Sequence, residues 1–418
     1  MSAKVEITLE MVLGRENLKG AWAAVKANAG AAGVDGKGID ETKRHLKEHW
    51  AGIREKLLAG EYCPAAVRAV EIAKPGGGVR RLGIPTVQDR LIQQALHQVL
   101  SAAFDSGMSE HSWGFRPGRS AHDAVTSARG YVAAGQEWVV DIDLASFFDQ
   151  VDHDRLMHLL GQRIADKRIL SLIGRYLRAP MDAGDGRHQR RSCGTPQGGP
   201  LSPLLANLYL DGLDRELERR GLAFVRYADD IAVFVSSQRA AERVLERLVR
   251  WLHTHLDLEV NLAKSGARRC EDSALLGFRI HRGGHVSLAP KSIARFKERV
   301  RALWDARQSL TSAQLRAQWQ RYVTGWWNYF RYAEWRRAVH ALTGWVRRHM
   351  RKCFWLRWHD RHGRRNALAR LGVRGRALGV AGCRRGAWFM ARHVVVNQAL
   401  KTATLNRYGL TLPWTLAG

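Results

Sequence analysis

Past Asp360 the 418-residue chain contains no aspartate or glutamate, and the scarcity begins earlier. From His281 to Gly418, 28 Lys and Arg stand against four acids, Glu298, Asp305, Glu334 and Asp360. A solvated surface ordinarily mixes both signs, so the imbalance excludes a self-neutralising face and asks for a polyanionic partner. The first 280 residues are nearly balanced, which leaves the last third with most of the formal charge of +28 and of a pI near 10.7. No uninterrupted apolar run reaches the 18 or so residues that cross a bilayer, and MSAKVEITLE lacks the hydrophobic region of a signal peptide. A nucleic acid therefore suits the charge better than a membrane, and the expected compartment is the cytoplasm. Cys63, Cys193, Cys270, Cys353 and Cys383 form no C-x-x-C pair, which excludes a zinc ribbon and a disulfide framework and reads as reduced thiols. Internal repeats and low-complexity segments are absent too.

What is present is a globular composition. With 45% hydrophobic residues the chain can fill two or three cores. Ten of the 15 Trp lie in the basic third, so that cations and aromatic planes are interleaved there, as phosphate contacts and base stacking require, with the remaining Trp in the core. Within the acid-free stretch Arg364, Arg365, Arg384, Arg385 and Arg392 are the candidate phosphate contacts.

Residues 1 to 60 read as helices separated by the loop AGAAGVDGKG. His45, Glu48 and His49 match an H-x-x-E-H zinc pattern, but on a charged amphipathic helix without a third ligand. VRAVEIAKPGGGVRRLGIP is a β-hairpin around Pro75 to Gly78 with Lys74 and Arg80 at its shoulders, able to fold over a phosphate chain. A helix follows in TVQDRLIQQALHQVLSAAF and another from Ala121; Trp138 to Ile142 is a strand ending in acids, and the chain beyond it turns helical. GTPQGGPLSPLLANLYLDGL is a Gly-rich loop and a helix, with Ser202 as N-cap and Pro203 at the first helical position. From Pro290 the pattern is helical, with breaks near 308 to 312, 361 to 366 and 371 to 386.

The stretch FVRYADDIAVFV, residues 224 to 235, places Asp229 and Asp230 at the tip of an apolar hairpin. Two carboxylates about 4 Å apart repel by roughly 4 kcal/mol at an effective dielectric of about 20. Ordinary turn chemistry, a shared proton or a divalent cation can each answer that repulsion, and oxygen-only ligands favour Mg²⁺. A second acidic strand end lies in WVVDIDLASFFDQVDHD, with Asp141 and Asp143 on one face of the strand. Two acidic strand ends with a basic helical region after them point to two-metal nucleotidyl transfer.

In order and spacing, KPGGGVRRLGIP, DRLIQQAL, GFRPGRSAHDAV, DIDLASFFDQVDHD, GTPQGGPLSPLLANLYLD, RYADD, VNLAKS and LLGFRI resemble the reverse transcriptase blocks of group II intron proteins, and GWWNYFRY with CRRGAW is similar to their maturase or thumb region. The resemblance implies an α+β right-hand polymerase: an N-terminal extension (1–60), fingers and palm with an antiparallel palm sheet (61–285), a helical thumb or maturase domain (286–365) and a basic DNA-binding module (366–418). It implies that Asp143, Asp229 and Asp230 hold two Mg²⁺ ions, with Asp141 as rival to Asp143, and that Phe148 senses the sugar of the incoming dNTP. Lys74 and Arg80 fall at triphosphate-gripping positions, Gln197 and Gly198 in the loop along the nascent base pair, and Lys264 at a candidate proton donor to pyrophosphate. Arg116 either braces the fingers or touches the template. The implied partners are an RNA template and DNA primer, dNTPs, the intron RNA and a target DNA, with no membrane. A member lacking the endonuclease domain is expected. The rival readings are an RNA-binding splicing factor with a decayed polymerase core and a host-domesticated polymerase of defence or repair.

Overall fold

Runs of β-branched and aromatic residues set between turn formers become strands, ten in all among the described residues: β1 (Val67–Ala73), β2 (Val79–Ile84), β3 (Trp138–Asp143), β4 (Met181–Asp182), β5 (His188–Gln189), β6 (Ala223–Tyr227), β7 (Asp230–Val235), β8 (Gly266–Arg269), β9 (Phe278–Ile280) and β10 (Val286–Leu288). The computed structural model describes residues 6–73, 79–184, 188–189 and 191–415. The chain divides into two compact units, Met1–Arg269 and Cys270–Gly418.

In the first unit one sheet runs β6-β7-β3-β8 with every neighbouring pair antiparallel, as expected of a palm. Val139, Val140, Ile142, Ile231 and Val233 are buried in it. The helix Gln238–Leu256 packs on β3 and β8 through a stripe of Ala241, Leu248, Leu252 and Leu256, whose spacing follows the helical period. Its start is fixed by Ser237, which accepts a hydrogen bond from the Ala240 amide. The helix Ser202–Arg219 is buried along most of its length, so its leucines alternate with polar residues that must find partners inside the protein. Ser202 does not cap it: Leu201 stands at the N-cap, and the Ser202 hydroxyl donates to the Pro196 carbonyl at 2.7 Å, holding the Gly-rich loop instead.

A second sheet runs β2-β1-β4-β5, with β1 and β2 antiparallel and β1 and β4 parallel. The tip of its hairpin, with Lys74, lies outside the described residues. The helix Val87–Phe104 is joined to the start of this sheet by Asp89, a buried carboxylate that accepts from the Thr86, Tyr62 and Tyr176 hydroxyls and the Ala65 amide. Burial nonetheless raises the Asp89 carboxyl above its ordinary range.

The second unit opens at Cys270. The β9-β10 hairpin belongs to it because Phe278 packs against Tyr329, Phe330 and Tyr332 of the same unit. Helices Pro290–Leu303, Ser312–Phe330 and Arg337–Arg357 follow, their core built on Trp304, Trp319, Trp355 and Trp414. Residues 361–366, expected as a break, are helical: Asp360 caps Arg361–Arg370 by accepting from the Gly363 amide at 2.7 Å. All five cysteines are free thiols. Among the described residues no helix is long and apolar enough to cross a membrane.

One polar contact lies deepest in the first unit. Arg226 of β6 and Asp214 of the helix Ser202–Arg219 are both wholly buried and meet as a two-pronged pair at 2.7 and 2.6 Å. The remaining nitrogen of the guanidinium donates to Asn207 Oδ1 at 2.8 Å and to the Ala228 carbonyl at 3.1 Å. Removing one member of such a pair leaves the other charge without compensation, which costs about 3 to 5 kcal/mol, whereas an apolar pair of similar volume is tolerated. Arg226→Met is therefore expected to lower the stability of the first unit by about that amount, and Arg226→Met with Asp214→Leu to recover most of the loss. Urea denaturation followed by circular dichroism checks both, and an additive double variant would show that the pair is not the source of the stability.

Candidate active site

The end of β3 and the start of β7 are brought side by side by sheet register. Asp143 lies opposite Asp230, and Ile142 opposite Ile231. Asp141 lies one pleat deeper, opposite Ala232 and Gly266, on the same face as Asp143. Between β6 and β7 the chain reverses in two residues, Ala228 and Asp229, so Asp229 stands at the apex beside the strand pair. Ala228 has φ of 58°, left-handed backbone that a residue with a Cβ adopts at a cost of roughly 1 to 2 kcal/mol. Three contacts hold it there. Arg226 grips its carbonyl from below, the Arg226 amide and carbonyl pair with His111 and Trp113, and Gly114 presses on the turn so closely that a Cβ would stand 2.5 Å from the Ala228 nitrogen. Asn207 ties the two sides, its amide donating to the Gly114 carbonyl while its oxygen accepts from Arg226.

The result is a knot of negative charge. Asp230 is open to solvent at its rim, yet the surrounding protein atoms and the charges of Asp229, Asp141 and Asp143 together push its carboxyl up to about 6, desolvation being the larger cause. Lys264 supplies counter-charge, its Nζ 3.5 Å from Asp143 Oδ1. Asp143 is further fixed through its backbone, its amide donating to Ser265 Oγ and its carbonyl accepting from the Asn261 amide, both at 2.9 Å. A donor set made only of carboxylate oxygens, held apart against their repulsion, fits a hard divalent cation such as Mg²⁺. Among the described residues no group of three or more His, Cys, Asp or Glu is drawn together closely enough to hold a metal ion, the His45, Glu48 and His49 pattern included. The rings of His45 and His49 stack on one another.

Phe147 and Phe148 have separate environments. Phe147 is 2% exposed and packs on Tyr209, whereas Phe148 is half-buried and meets Phe147 edge-on at 5.2 Å, which leaves Phe148 the ring that a ligand can reach. The Phe148 carbonyl accepts from the Thr195 amide at 2.6 Å and so ties the Gly-rich loop to the short helix after β3. In that loop the Gln197 carbonyl accepts from the Gly83 amide at 3.0 Å, and Gly198, at φ of 139°, comes so near β2 that a Cβ would stand 2.6 Å from the Gly83 oxygen. The close approach that its glycine permits is to the protein's own backbone.

Arg116 is buried and donates to Asp105 Oδ1, the Asp105 carbonyl and the carbonyls of Ser109 and Ser112. These bonds engage all three nitrogens of its guanidinium within the protein. The backbone of Arg80 lies in β2, opposite Ile72. In the second unit Arg365, Arg384, Arg385 and Arg392 are exposed, Arg385 stacking over Phe389, while Arg364 is half-buried over the Trp355 ring at 4.7 Å. Sequence reasoning did not single out Arg226, Asp214, Asn207, Gly114 or Ser265. The signal for the first was available: an arginine inside an apolar strand must be buried and therefore paired.

Because the fold raises the Asp230 carboxyl from 3.8 to about 6, it favours the protonated form, and its cost is fully present above pH 6 and gone below pH 4. Asp230→Asn is expected to raise the melting temperature at pH 8 and to lose that advantage as the pH falls from 6 to 4. Added Mg²⁺ should raise the wild-type melting temperature at pH 8 by more than that of the variant. Equal responses to Mg²⁺ would separate Asp230 from any cation.

Residues 72–280 match the family model described as reverse transcriptase (RNA-dependent DNA polymerase), and residues 293–372 that of the group II intron maturase-specific domain. Protein YkfC of Escherichia coli K12 is 31% identical over 323 residues, 67% of this chain and 84% of that protein. Group II intron-encoded protein LtrA of Lactococcus lactis subsp. cremoris is 38% identical over 197 residues, which cover 46% of this chain and 33% of LtrA, so the match spans about a third of that relative's length. Among solved structures, telomerase from Candida albicans in complex with a fragment of telomeric RNA aligns with a TM-score of 0.45 at 11% identity, over 90% of this chain and 70% of that one. With both family models matched in order along the sequence, the chain belongs to the reverse transcriptases of group II introns, RNA-dependent DNA polymerases that carry a maturase domain.

Proposed function

We propose that DNA is synthesised on an RNA template at the ends of β3 and β7, with Asp143 and Asp229 holding two Mg²⁺ ions and Asp230 beside them as the third acid. The observation that carries this reading is the register that sets Asp143 opposite Asp230 with Asp229 on the adjoining turn. The ions, when bound, supply the acidity of the primer 3′-hydroxyl and the neutralisation of triphosphate and pyrophosphate charge. The protein's share is orientation. Arg226, Asn207 and Gly114 hold the turn at fixed height, and Ser265 with Asn261 fixes the Asp143 backbone. Lys264 balances Asp143 in the resting site and serves as the proton donor to the leaving pyrophosphate. The reachable Phe148 ring takes the space of a ribose 2′-hydroxyl. Lys74 and Arg80 serve as the grip on the triphosphate, and the loop of Gln197 and Gly198 as the surface beside the nascent base pair. Arg365, Arg384, Arg385 and Arg392, with Arg364 behind them, serve as phosphate contacts for the intron RNA and target DNA, through which the protein assists splicing and copies the intron by target-primed reverse transcription.

Two measurements test this reading. Asp229→Ala with Asp230→Ala is expected to abolish Mg²⁺-dependent extension of a DNA primer on RNA while binding of intron RNA persists; residual extension within about tenfold of wild type, a barrier change of only about 1.4 kcal/mol, would remove the pair from the chemistry. Phe148→Val is expected to raise ribonucleotide incorporation relative to deoxynucleotide by about tenfold or more, through relief of a clash of about that size. Unchanged sugar discrimination would leave Phe148 a packing residue.

A further inference from the structure

The second unit holds a cavity of about 400 Å³ that the polymerase chemistry does not use. Its floor is buried and apolar, formed by Trp304, Leu315 and Leu405. Phe354 and Trp358, both half-buried, stand as aromatic walls, and the mouth is bounded by the exposed Arg316, Arg370 and Tyr408. Neither arginine pairs with a carboxylate among the described residues; of the acids in this unit, Glu334 pairs with His285 and Asp305 with Arg307. Trp304 is 1% exposed, and its indole Nε1 has no hydrogen-bond partner among the described residues.

Size, walls and charge together select an occupant. The volume suits one planar ring with its sugar and is too small for a helix. Flat aromatic walls offer stacking without a hydrogen-bond code, which tolerates any base. Two guanidinium groups at the mouth without a carboxylate partner, Arg370 among them in the stretch that holds no acid after Asp360, suit the phosphates on either side. We propose that this cavity receives one unstacked base of a single-stranded segment of bound nucleic acid, with Arg316 and Arg370 on the flanking phosphates. The proposal rests on the reading of the basic second unit as a nucleic-acid surface.

The test uses the full chain, a 12-nucleotide uridine strand with a central 2-aminopurine, and a blunt RNA–DNA duplex as control. Wild-type protein is expected to quench the 2-aminopurine. Ala367→Phe, which fills the cavity from the helix Arg361–Arg370, should abolish the quench and weaken single-strand binding by about tenfold while duplex binding stays unchanged. Arg316→Gln with Arg370→Gln should flatten the slope of log affinity against log salt for the single strand by about 1.4. A folded Ala367→Phe that binds and quenches like wild type overturns the site and leaves an apolar side chain of a protein partner as its occupant. Should Phe at 367 disturb folding, the arginine pair decides, and an unchanged slope overturns the proposal. Wild-type protein that binds neither strand nor duplex would bring down the nucleic-acid reading itself, whereas duplex binding without a quench refutes only the cavity.

Discussion

The paired guanidinium and carboxylate of Arg226 and Asp214 are the constraint on which the first unit's site depends. Both are without solvent, so each charge is compensated by the other and not by water. Burial alone raises the Asp214 carboxyl above its ordinary range, and Arg226 works against that rise. The same guanidinium reaches the carbonyl of Ala228, one residue before Asp229, so the deepest ion pair of the unit and the apex of the acidic turn are a single hydrogen-bonded piece. A turn with a left-handed alanine needs such support, because nothing in its local sequence favours that backbone.

Charge is distributed along the chain by a simple division. Carboxylates are concentrated where β3 ends and β7 begins, and the protein tolerates their repulsion by leaving the rim open to solvent and setting Lys264 against Asp143. The second unit takes the opposite course and presents guanidinium groups over aromatic rings, as with Arg385 on Phe389, Arg348 on Trp388 and Arg301 near Trp345. Such stacks let a cation lie against an apolar surface without a carboxylate partner.

Much of the fold was legible because periodicity is a strong signal where it is long. The helices Val87–Phe104 and Gln238–Leu256 and the hairpin of β6 and β7 stand where their patterns put them. The acids were legible as well, since paired carboxylates in an apolar hairpin demand a reason. What the pattern could not carry was partner choice across the fold. Ser202 looks like a cap, but the nearby Pro196 carbonyl claims its hydroxyl. Residues 361–366, rich in arginine, read as a break, yet the Asp360 cap is enough to start a helix there. Arg226 hid inside a familiar block because a strand pattern records that a residue is enclosed and not what encloses it.

The contact of Gly198 with Gly83 has a structural consequence. A backbone hydrogen bond and a van der Waals approach with no side chain between them tie the loop that holds Gln197 directly to the strand β2. The opposite end of β2 is Val79, beside Arg80, at the hairpin. A path of backbone contacts thus runs from β2 into the loop and from its Thr195 amide to the Phe148 carbonyl. The strand that contains Arg80 and the residue that bears the Phe148 ring are joined through main chain alone.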